Sequence, residues 1–545
     1  MNLSEETRKI LKGEVADDNE TLERYSKDAS LFKVRPKLVV FPKNSEDLKA
    51  LVKWLGEKKG ESVTVRAAGT DMSGGPLTGS IVADVSKYFT KIGEIKSEGT
   101  LVEPGVFYRN FEKETLKKGL ILPCYTASKE LCALGGMLGN NCAGEKTLRY
   151  GKMENFVLET KVIFSDGNEY TVKPLSNDEL EGKKAQNDFE GSIYRNLSNL
   201  IEENRGLLEE AKPKVSKNSA GYYLWNVYSK SGENTVFDLN KLLIGSQGTL
   251  GIITEAKLRL VPIEPASRLF VIFLHDPKGI AELINAVLPT KPESVESYDD
   301  ATMKLAFRFF PEILKNMHIK HFLSLILSFI PEFFMMLRGG IPRLIVLVEY
   351  AGKTVGEINK KMDELEKIIH PFKVVSRKTF SEEESNKYWT VRRESFNLLR
   401  KHVYGTRTAP FVDDVVVRPD GMSEFLPQMR AILDKYKMTY TVAGHAGNGN
   451  FHIIPLMNMK DKNSVEIIKK VGEEVYTLVS KFGGSITGEH NDGIVRTPYL
   501  HKMYKPEVLE LFKKTKEIFD PKGIFNPGKK VGGTLEYLES HIALE

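Results

Sequence analysis

Apolar positions recur with two different periods along this chain, and the alternation of these periods predicts a mixed organisation of strands and helices. The run 38–42, Leu-Val-Val-Phe-Pro, has the continuous apolar character of a buried strand. From Ser45 to about Lys59 the apolar residues are spaced as on one face of a helix, and a second strand is predicted at 63–66. Strand, helix, strand and then a glycine-rich loop is an order typical of an α/β nucleotide-binding domain.

The middle of the chain repeats a pattern of strand followed by helix. Apolar runs at 269–274 and 344–350 predict strands, and helical spacing follows them at 278–289 and 355–369. We therefore expect a separate substrate-binding or cap domain within residues 263–440.

An apolar insertion at 302–340 lies between these two repeats. Its most apolar part, 322–337, is too short to span a bilayer, and Pro331-Glu332 interrupts it. A buried helix or a contact between domains is therefore favoured, and a helix lying on a membrane surface is the alternative.

Length and composition limit the classes of protein that fit. A chain of 545 residues is too long for a single core, so two or three domains are expected. Its 78 basic and 73 acidic residues leave a dispersed net charge of +5, which gives no reason to expect a nucleic-acid partner. The N-terminus lacks the basic and apolar regions of a signal peptide, so a cytoplasmic location is expected. Three cysteines, Cys124, Cys132 and Cys142, cannot form a disulfide framework, and a reducing compartment fits them best.

Glycine-rich loops are the first chemical signal. In the loop 66–76, glycines let the backbone approach a ligand closely, and Thr70 and Ser73 add hydroxyl donors. This combination suits a pyrophosphate, although the spacing is neither that of a Rossmann motif nor that of a Walker loop, and a structural turn is the alternative. A similar segment at 135–151 suggests one long ligand lying between the two. A third segment at 245–253 leads into a predicted strand of alternating residues at 254–260.

The stretch 441–454 carries two histidines around a glycine-rich turn. Asn448-Gly449 is typical of a type I′ hairpin turn, which needs positive φ at both central residues. This register pairs His445 with His452 and places their Cβ atoms about 5 Å apart on one face. Such a separation lets two imidazoles share one metal ion, whereas the alternative is two ordinary histidines beside a hairpin.

A glycine-flanked Glu-His pair within 483–496 adds to these histidines. Glu489 would complete a set of two histidines and one carboxylate with His445 and His452, and such a set leaves coordination positions open for a substrate. The adjacent His490 would remain free as a general base, because imidazole titrates near neutral pH.

Paired arginines provide candidate substrate contacts. Arg392 and Arg393 offer bidentate forks for a carboxylate, although a solvated helix face with a glutamate partner fits the same residues. A second carboxylate on the substrate could meet Arg393, Lys217 or Arg496, and the spacing does not choose among them.

The order of these motifs resembles that of the FAD-linked oxidoreductases of the vanillyl-alcohol oxidase superfamily. The upstream resemblance covers about Pro36 to Pro262, and its most specific stretch is Gly-Ser-Gln-Gly-Thr-Leu-Gly-Ile-Ile-Thr-Glu-Ala. Downstream, Gly-His-Ala-Gly-Asn-Gly-Asn-Phe-His, Gly-Glu-His-Asn-Asp-Gly and the run from Phe519 to Lys529 resemble one branch of it. That branch contains D-lactate dehydrogenase, the glycolate oxidase flavin subunit and D-2-hydroxyglutarate dehydrogenase, and the whole resemblance covers about residues 30–530.

This resemblance implies an α+β fold with a two-subdomain FAD-binding domain of the p-cresol methylhydroxylase (PCMH) type. An α/β cap domain with an antiparallel sheet would bind the substrate, and a C-terminal segment would return to the flavin. The expected limits are 1–30 for an N-terminal helical extension, 31–262 for the FAD-binding domain, 263–487 for the cap domain and 488–545 for the C-terminal segment.

The resemblance also implies which residues contact the cofactor. In the family the first loop holds the FAD pyrophosphate, the second wraps the ribityl chain and flavin, and the third supplies backbone contacts. Members with covalent flavin often carry a histidine in the first loop, and none lies in 66–76, so non-covalent FAD is implied. The implied FAD contacts are Arg66, Gly69, Thr70, Asp71, Met72, Ser73, Gly74, Gly75, Thr126, Ala127, Gly135, Gly136, Gly139, Asn140, Asn141, Ala143, Gly144, Tyr150, Gly151, Gly248, Thr249, Gly251, Ile252, Ile253 and Asn526.

The roles carried over from the family give a mechanism. His445, His452 and Glu489 would bind a divalent metal, usually zinc, which would hold the 2-hydroxyl and one carboxylate oxygen of the substrate and lower the hydroxyl pKa. Arg392 would anchor the carboxylate, and His490 would take the hydroxyl proton while the Cα hydride passes to flavin N5. The substrate would be a D-2-hydroxy acid of the lactate, glycolate or 2-hydroxyglutarate class, and the product a 2-oxo acid.

Two departures from the family bear on the partners. Larger bacterial relatives continue into a cysteine-rich iron–sulfur domain that this sequence lacks, so a separate acceptor is expected: an iron–sulfur protein, an electron-transfer flavoprotein or a quinone. Gln247 stands where relatives often carry Glu, which removes a charge near the cofactor. A homodimer and a peripheral contact of 322–337 with the inner face of the membrane are left open. The competing functions are a flavin-dependent transferase like alkyl-glycerone-phosphate synthase and a flavin electron-transfer subunit.

Overall fold

Three large sheets, of four, four and eight strands, carry the fold of the described residues in the computed structural model. The predicted apolar segment 322–337 lies outside those residues, apart from Glu332. The structure describes residues 2–231, 234–308, 332, 340–402 and 405–544.

The N-terminal half contains short strands and helices in alternation. Its strands are β1 Glu14–Ala16, β2 Leu38–Phe41, β3 Val63–Arg66, β4 Ile81–Asp84, β5 Thr100–Val102, β6 Leu120–Ile121, β7 Val157–Ile163, β8 Glu169–Val172, β9 Tyr228–Ser231, β10 Asn234–Phe237, β11 Ile252–Leu258 and β12 Val261–Pro262. Its helices are α1 Leu3–Ile10, α2 Asn19–Tyr25, α3 Ser45–Glu57, α4 Tyr108–Leu116, α5 Leu134–Asn140, α6 Thr147–Tyr150, α7 Asn177–Lys184, α8 Phe189–Glu203, α9 Arg205–Ala211 and α10 Asn240–Leu243.

The first sheet has the strand order β1-β2-β4-β3, in which β2, β4 and β3 run parallel. Every residue of β2 and β4 is buried, which explains why their sequence is continuously apolar. Helix α3 packs on this sheet through the residues predicted from helical spacing, which are Leu48, Leu51, Val52 and Leu55.

The first 30 residues contribute a strand as well as two helices. Strand β1 pairs antiparallel with β2, in the register Val15 opposite Val40. The sequence predicts only helix here, because a strand of three residues is too short to show a period. The predicted domain limits stay predictions.

The second sheet is antiparallel throughout, with the order β5-β11-β7-β8. Along β11 buried and half-buried residues alternate, as the alternating sequence after Gly251 predicts. The segment that precedes this strand is held against the small helix α5, because the Gly245 and Gln247 N–H groups donate to the carbonyls of Leu138 and Gly139 at 2.9 Å.

The C-terminal half is built on one eight-stranded antiparallel sheet of order β16-β13-β15-β14-β19-β20-β17, with β18 also paired to β20. This arrangement confirms the prediction that the cap domain contains an antiparallel sheet. Its strands are β13 Ala266–Leu274, β14 Ser294–Asp299, β15 Leu344–Gly352, β16 Val375–Lys378, β17 Arg407–Thr408, β18 Val415–Val416, β19 Thr439–His445 and β20 Asn450–Met457. Its helices are α11 Ile280–Val287, α12 Asp300–Arg308, α13 Val355–Ile369, α14 Glu382–His402, α15 Met422–Lys435, α16 Asn463–Lys481, α17 Gly493–Arg496, α18 Pro506–Phe519 and α19 Leu535–His541.

The C-terminal segment returns to the first sheet. Phe525 forms a parallel bridge with Val63 at the end of β3, and the Asn526 N–H donates to the Val63 carbonyl at 3.0 Å. Within the described ranges, no helix combines the length and the hydropathy needed to cross a bilayer.

Candidate active site

The hairpin of β19 and β20 carries the two histidines, but its turn is not the predicted one. Residues Ala446–Asn448 form a short 3-10 turn, and Gly449 alone adopts a positive φ, of 65°. A two-residue type I′ turn needs positive φ at both positions, so that prediction is wrong. His445 therefore lies opposite Asn450, and His452 lies opposite Ala443.

The two imidazoles nevertheless lie close together, on a diagonal of the hairpin. Their ring centroids are 5.2 Å apart. Oε1 of Glu489 lies 3.2 Å from Nε2 of His445 and 3.4 Å from Nε2 of His452. One donor atom from each of the three residues lies within 4.8 Å of the others, so the structure brings the predicted metal-ligand cluster together.

Two further carboxylates hold the outer nitrogens of these histidines. Oε1 of Glu296 lies 2.6 Å from Nδ1 of His445, and Oδ1 of Asp413 lies 3.1 Å from Nδ1 of His452. A carboxylate on Nδ1 fixes the proton there and turns the Nε2 lone pair toward the opposite side. Both Nε2 atoms therefore face the Glu489 carboxylate as ligands for one cation would.

The Glu489 carboxylate is kept ionised by a buried lysine. Nζ of Lys217, which is fully buried, lies 2.7 Å from Oε2 of Glu489 and 3.2 Å from Oδ1 of Asn450. Burial alone would raise the pKa of the Glu489 carboxyl, but the charges of Lys217 and His445 hold that pKa well below its usual range. Oε1 is thus left as an anionic donor beside the two imidazoles.

His490 lies beside the cluster of the three predicted ligands. Its ring stacks on His452 with centroids 5.1 Å apart, and its Nε2 is 3.9 Å from Oε1 of Glu489. Nδ1 is 2.9 Å from Oδ2 of Asp413, although the two atoms are not aligned for a hydrogen bond. Burial would lower the pKa of His490, and the charges of Asp414 and Asp413 outweigh this effect and raise it.

A single carboxylate shapes the loop that presents Glu489 and His490. Oδ2 of Asp414 accepts the N–H groups of Gly488, Glu489 and His490 at 2.8–2.9 Å. At Gly488 an added Cβ would lie 2.8 Å from a methyl of Val416, so the loop needs glycine there.

Sequence reasoning missed both aspartates, Asp413 and Asp414. A signal was present, because these two acids stand side by side between the apolar runs Phe411-Val412 and 415–417. Charged residues inside such a buried stretch are retained only with partners. The other missed residues, Glu296 and Asn450, carry no comparable signal in their local sequence.

The three candidate arginines occupy different environments. Arg392 is buried and forms an ion pair with Oε2 of Glu296, so it is not on a solvated helix face. Arg393 is half-exposed and pairs with Oε1 of Glu145 at 2.6 Å.

Arg496 is fully buried, and its guanidinium donates to the backbone carbonyls of Asn491 and Asp413 at 2.9 and 2.7 Å. These contacts give Arg496 a role in holding the loop, and they offer no support for the predicted substrate contact.

The three glycine-rich segments meet at one place. Nδ2 of Asn140 donates to Oδ2 of Asp71 at 2.7 Å, and Nε2 of Gln247 donates to Oγ of Ser73 at 3.2 Å. Asn526 closes the group, because its Nδ2 donates to the carbonyls of Gly75 and Gln247 at 3.0 and 2.8 Å. The predicted FAD contacts thus come from four distant parts of the sequence.

Within the first loop, the carboxylate of Asp71 accepts hydrogen bonds from some of the groups that were expected to donate to the pyrophosphate. Oδ1 of Asp71 accepts the N–H and Oγ–H of Ser73 at 2.6 Å and the N–H of Gly75 at 3.1 Å. Arg66, another predicted cofactor contact, donates to the carbonyls of Tyr25 and Lys27. The loop is therefore held in shape by its own anion and by the N-terminal segment.

Three glycines of these segments leave room that side chains would fill. An added Cβ at Gly136 or Gly248 would meet no other atom within 4 Å, and one at Gly139 would meet a single atom at 3.9 Å. Nδ2 of Asn141 is buried without a hydrogen-bond partner. Open backbone with an unsatisfied polar group fits a ligand that lies along the segments, as FAD would.

These segments also contact the loop that follows Glu489. Asn491, two residues after Glu489, donates from Nδ2 to the carbonyls of Gly245 and Asn140 at 2.8 and 3.3 Å. Oε1 of Gln247 accepts the N–H of Gly493 at 2.8 Å. A cofactor held by the glycine segments would thus lie beside the cluster.

Comparison with protein families identifies two matches in this chain. A family model described as an FAD binding domain matches residues 36–173. A second, described as the C-terminal domain of FAD linked oxidases, matches residues 264–530.

Curated relatives of this chain are named as dehydrogenases or oxidase subunits for 2-hydroxy acids. A D-2-hydroxyglutarate dehydrogenase of Pseudomonas putida is 28% identical over 526 residues, which cover 95% of this chain and 50% of the relative. The glycolate oxidase subunit GlcD of Bacillus subtilis is 25% identical, with 93% of this chain and 91% of the relative covered. The chain spans about half the length of the first of these relatives.

Among solved structures, p-cresol methylhydroxylase has a TM-score of 0.69 at 15% identity. The match covers 98% of this chain and 96% of that structure, which shows a shared fold.

Proposed function

Because this chain belongs to the FAD-linked oxidase family, we propose that it is an FAD-dependent dehydrogenase that oxidises a 2-hydroxy acid to the 2-oxo acid. The relatives named for D-2-hydroxyglutarate and glycolate support this substrate class. FAD would be bound non-covalently between the glycine-rich segments and Asn526. When bound, it would supply the acceptor for the Cα hydrogen and its electron pair.

The observation that carries the proposal is the metal-ligand cluster of His445, His452 and Glu489. Two imidazole nitrogens and one carboxylate oxygen are a donor set that suits zinc and leaves positions open for a substrate. A divalent ion there would act as a Lewis acid on the substrate hydroxyl.

Charge supports a cation at this cluster. Four buried carboxylates belong to the site and its immediate contacts, and they face only three permanently cationic side chains. With all the histidines neutral, as the ligand histidines would be once a metal is bound, these side chains sum to one negative charge, and a divalent ion would make the total positive for an anionic substrate. The carboxylates are Glu296, Asp413, Asp414 and Glu489, and the cations are Lys217, Arg392 and Arg496.

The remaining side chains would have separate roles in substrate binding and in proton transfer. Arg392 would hold the substrate carboxylate, because its ion pair with Glu296 links it to the imidazole of His445. Nε2 of His490 would take the hydroxyl proton, since its Nδ1 is turned to Asp413. The electrons would then leave to a separate acceptor, an iron–sulfur protein, an electron-transfer flavoprotein or a quinone.

The test is anaerobic bleaching of the flavin absorbance by D- and L-2-hydroxy acids, with and without a chelator. We expect one acid of the lactate, glycolate or 2-hydroxyglutarate class to bleach the flavin, and prior chelation to slow bleaching at least tenfold until zinc is restored. If no acid bleaches the flavin, the dehydrogenase proposal fails, and a redox-neutral transferase is favoured instead. If chelation has no effect, the metal part alone fails.

A further inference from the structure

Glu296 is a buried carboxylate that contacts two parts of the site at once. Its side chain is almost fully buried in the middle of the cap sheet. Oε1 lies 2.6 Å from Nδ1 of His445, and Oε2 forms the ion pair with Arg392. One side chain thus lies between a predicted metal ligand and the predicted substrate anchor.

Sheet register places this carboxylate. Strand β14 pairs antiparallel with β19, with Ser297 opposite Gly444 and Tyr298 opposite Ala443. One step further along this register, Glu296 comes level with His445. Arg392 reaches the same point from helix α14, so the contact joins three elements that are far apart in the sequence.

We propose that Glu296 is a positioning residue that sets metal affinity and carboxylate binding together. This inference rests on the proposed function. Through Oε1, Glu296 would keep the proton of His445 on Nδ1 and leave Nε2 for the metal. Through Oε2, it would fix the guanidinium of Arg392 and offset the repulsion between that cation and a metal ion nearby.

Two consequences distinguish this role from a purely structural one. Loss of the charge at Glu296 should weaken metal binding even when no substrate is present, because the carboxylate acts on His445 directly. The same change should raise KM more than it lowers kcat, because Arg392 loses the partner that holds it in place for the substrate carboxylate.

The experiment compares Glu296→Gln with a matched control, Glu293→Gln. Glu293 is a buried carboxylate three residues away that pairs with Lys146 at 2.9 Å and Arg149 at 2.5 Å, in the second glycine-rich segment rather than at the metal-ligand cluster. Each full-length, FAD-loaded variant is stripped of metal, and Zn²⁺ affinity is measured by competition with a chromophoric chelator. We expect Zn²⁺ affinity to fall about 10–100-fold in E296Q and to stay within about twofold of the wild type in E293Q.

The outcomes separate this inference from the proposed function. If the wild type does not bind Zn²⁺, the proposed metal site fails. If it binds and E296Q binds equally well, the positioning role of Glu296 is overturned. Should E296Q lose FAD or its near-ultraviolet circular dichroism, Glu296→Asp replaces it, because it keeps the charge and shortens the reach. A wild-type Zn²⁺ affinity and KM in E296D would then overturn the proposal, and a loss in both would support it.

Discussion

At the scale of single residues, buried carboxylates organise this protein more than any other side chain. Asp413 holds two imidazoles, and Asp414 accepts three successive backbone N–H groups. Asp71 accepts two backbone N–H groups, those of Ser73 and Gly75, inside the first glycine-rich loop. Because each of these groups would be costly to bury alone, each marks a place where distant segments must meet.

Asp28 is a carboxylate that burial leaves only partly compensated, and we predict that it destabilises the protein at neutral pH. Burial, followed by the charge of Asp71, raises the pKa of Asp28 to about 7. Its Oδ2 has no hydrogen-bond partner, whereas Oδ1 accepts from Ser30. Since an unfolded aspartate titrates near pH 4, the folded state binds the proton more tightly, and stability falls as the pH rises from about 4 to about 7.

The substitution Asp28→Asn should remove that dependence. We expect the variant to be more stable than the wild type at pH 8 by about 1–3 kcal/mol, and its unfolding free energy to depend less on pH. This range is smaller than the full energy of the pKa shift, because Asp28 is not fully enclosed and solvent screens its charge. Urea unfolding at pH 4.5, 6 and 8 measures both effects. The exposed Asp178→Asn serves as the control, and a wild-type pH profile in D28N would refute the prediction.

At the scale of elements, the turn of the histidine hairpin depends on backbone geometry at one glycine. At Gly449, with φ of 65°, an added Cβ would lie 1.8 Å from the Val417 carbonyl oxygen. At Gly483, φ is 61°, and no atom lies within 4 Å of an added Cβ. The two glycines therefore share the same strain and differ only in the space around them.

This pair allows a controlled test of the hairpin. Gly483→Ala should cost about 1–2 kcal/mol, the strain of a left-handed residue. Gly449→Ala should cost more and also lower Zn²⁺ binding at least tenfold, because the turn must move and His445 and His452 with it. Unfolding free energy and Zn²⁺ titration provide the comparison, and equal losses in both variants would contradict it.

At the scale of the whole molecule, the C-terminal segment closes the FAD-binding half. Asn526 accepts from Oγ of Thr64 at 2.9 Å and donates to the carbonyls of Gly75 and Gln247. The partners are separated from it by 279 to 462 positions in the sequence. The cofactor segments are therefore joined by contacts between distant parts of the sequence.

Removing this side chain should therefore loosen the cofactor without a change in the cap domain. Asn526→Ala leaves two buried carbonyls and a hydroxyl without a partner, and we expect a loss of about 2–4 kcal/mol in unfolding free energy. FAD retention should fall at least tenfold, measured by the fluorescence of released FAD on dilution. Zn²⁺ binding by the cap residues should persist, and the exposed Asn199→Ala should behave as the wild type. Unchanged FAD retention in N526A would argue against a cofactor role for this segment.

The local patterns predicted much of this fold because periodicity reflects burial on one face. The strand at Leu38–Phe41, the helix at Val355–Ile369 and the alternating strand before Leu258 are found where the periods place them. The prediction of the turn type from the dipeptide at the hairpin was wrong. The dipeptide Asn448-Gly449 favours a type I′ turn in isolation, but strand β20 pairs on its other side with β18 as well, and the turn takes the form that this sheet allows.

By itself, then, the sequence determined the apolar periods, the glycine-rich segments and the types of residue that a metal and a flavin would need. Only the tertiary structure decided which carboxylates stand behind those residues. Glu296, Asp413 and Lys217 reach the cluster from segments 39 to 272 positions away, through sheet register and loop packing. Such contacts depend on distance in space rather than along the chain, so no local pattern can encode them.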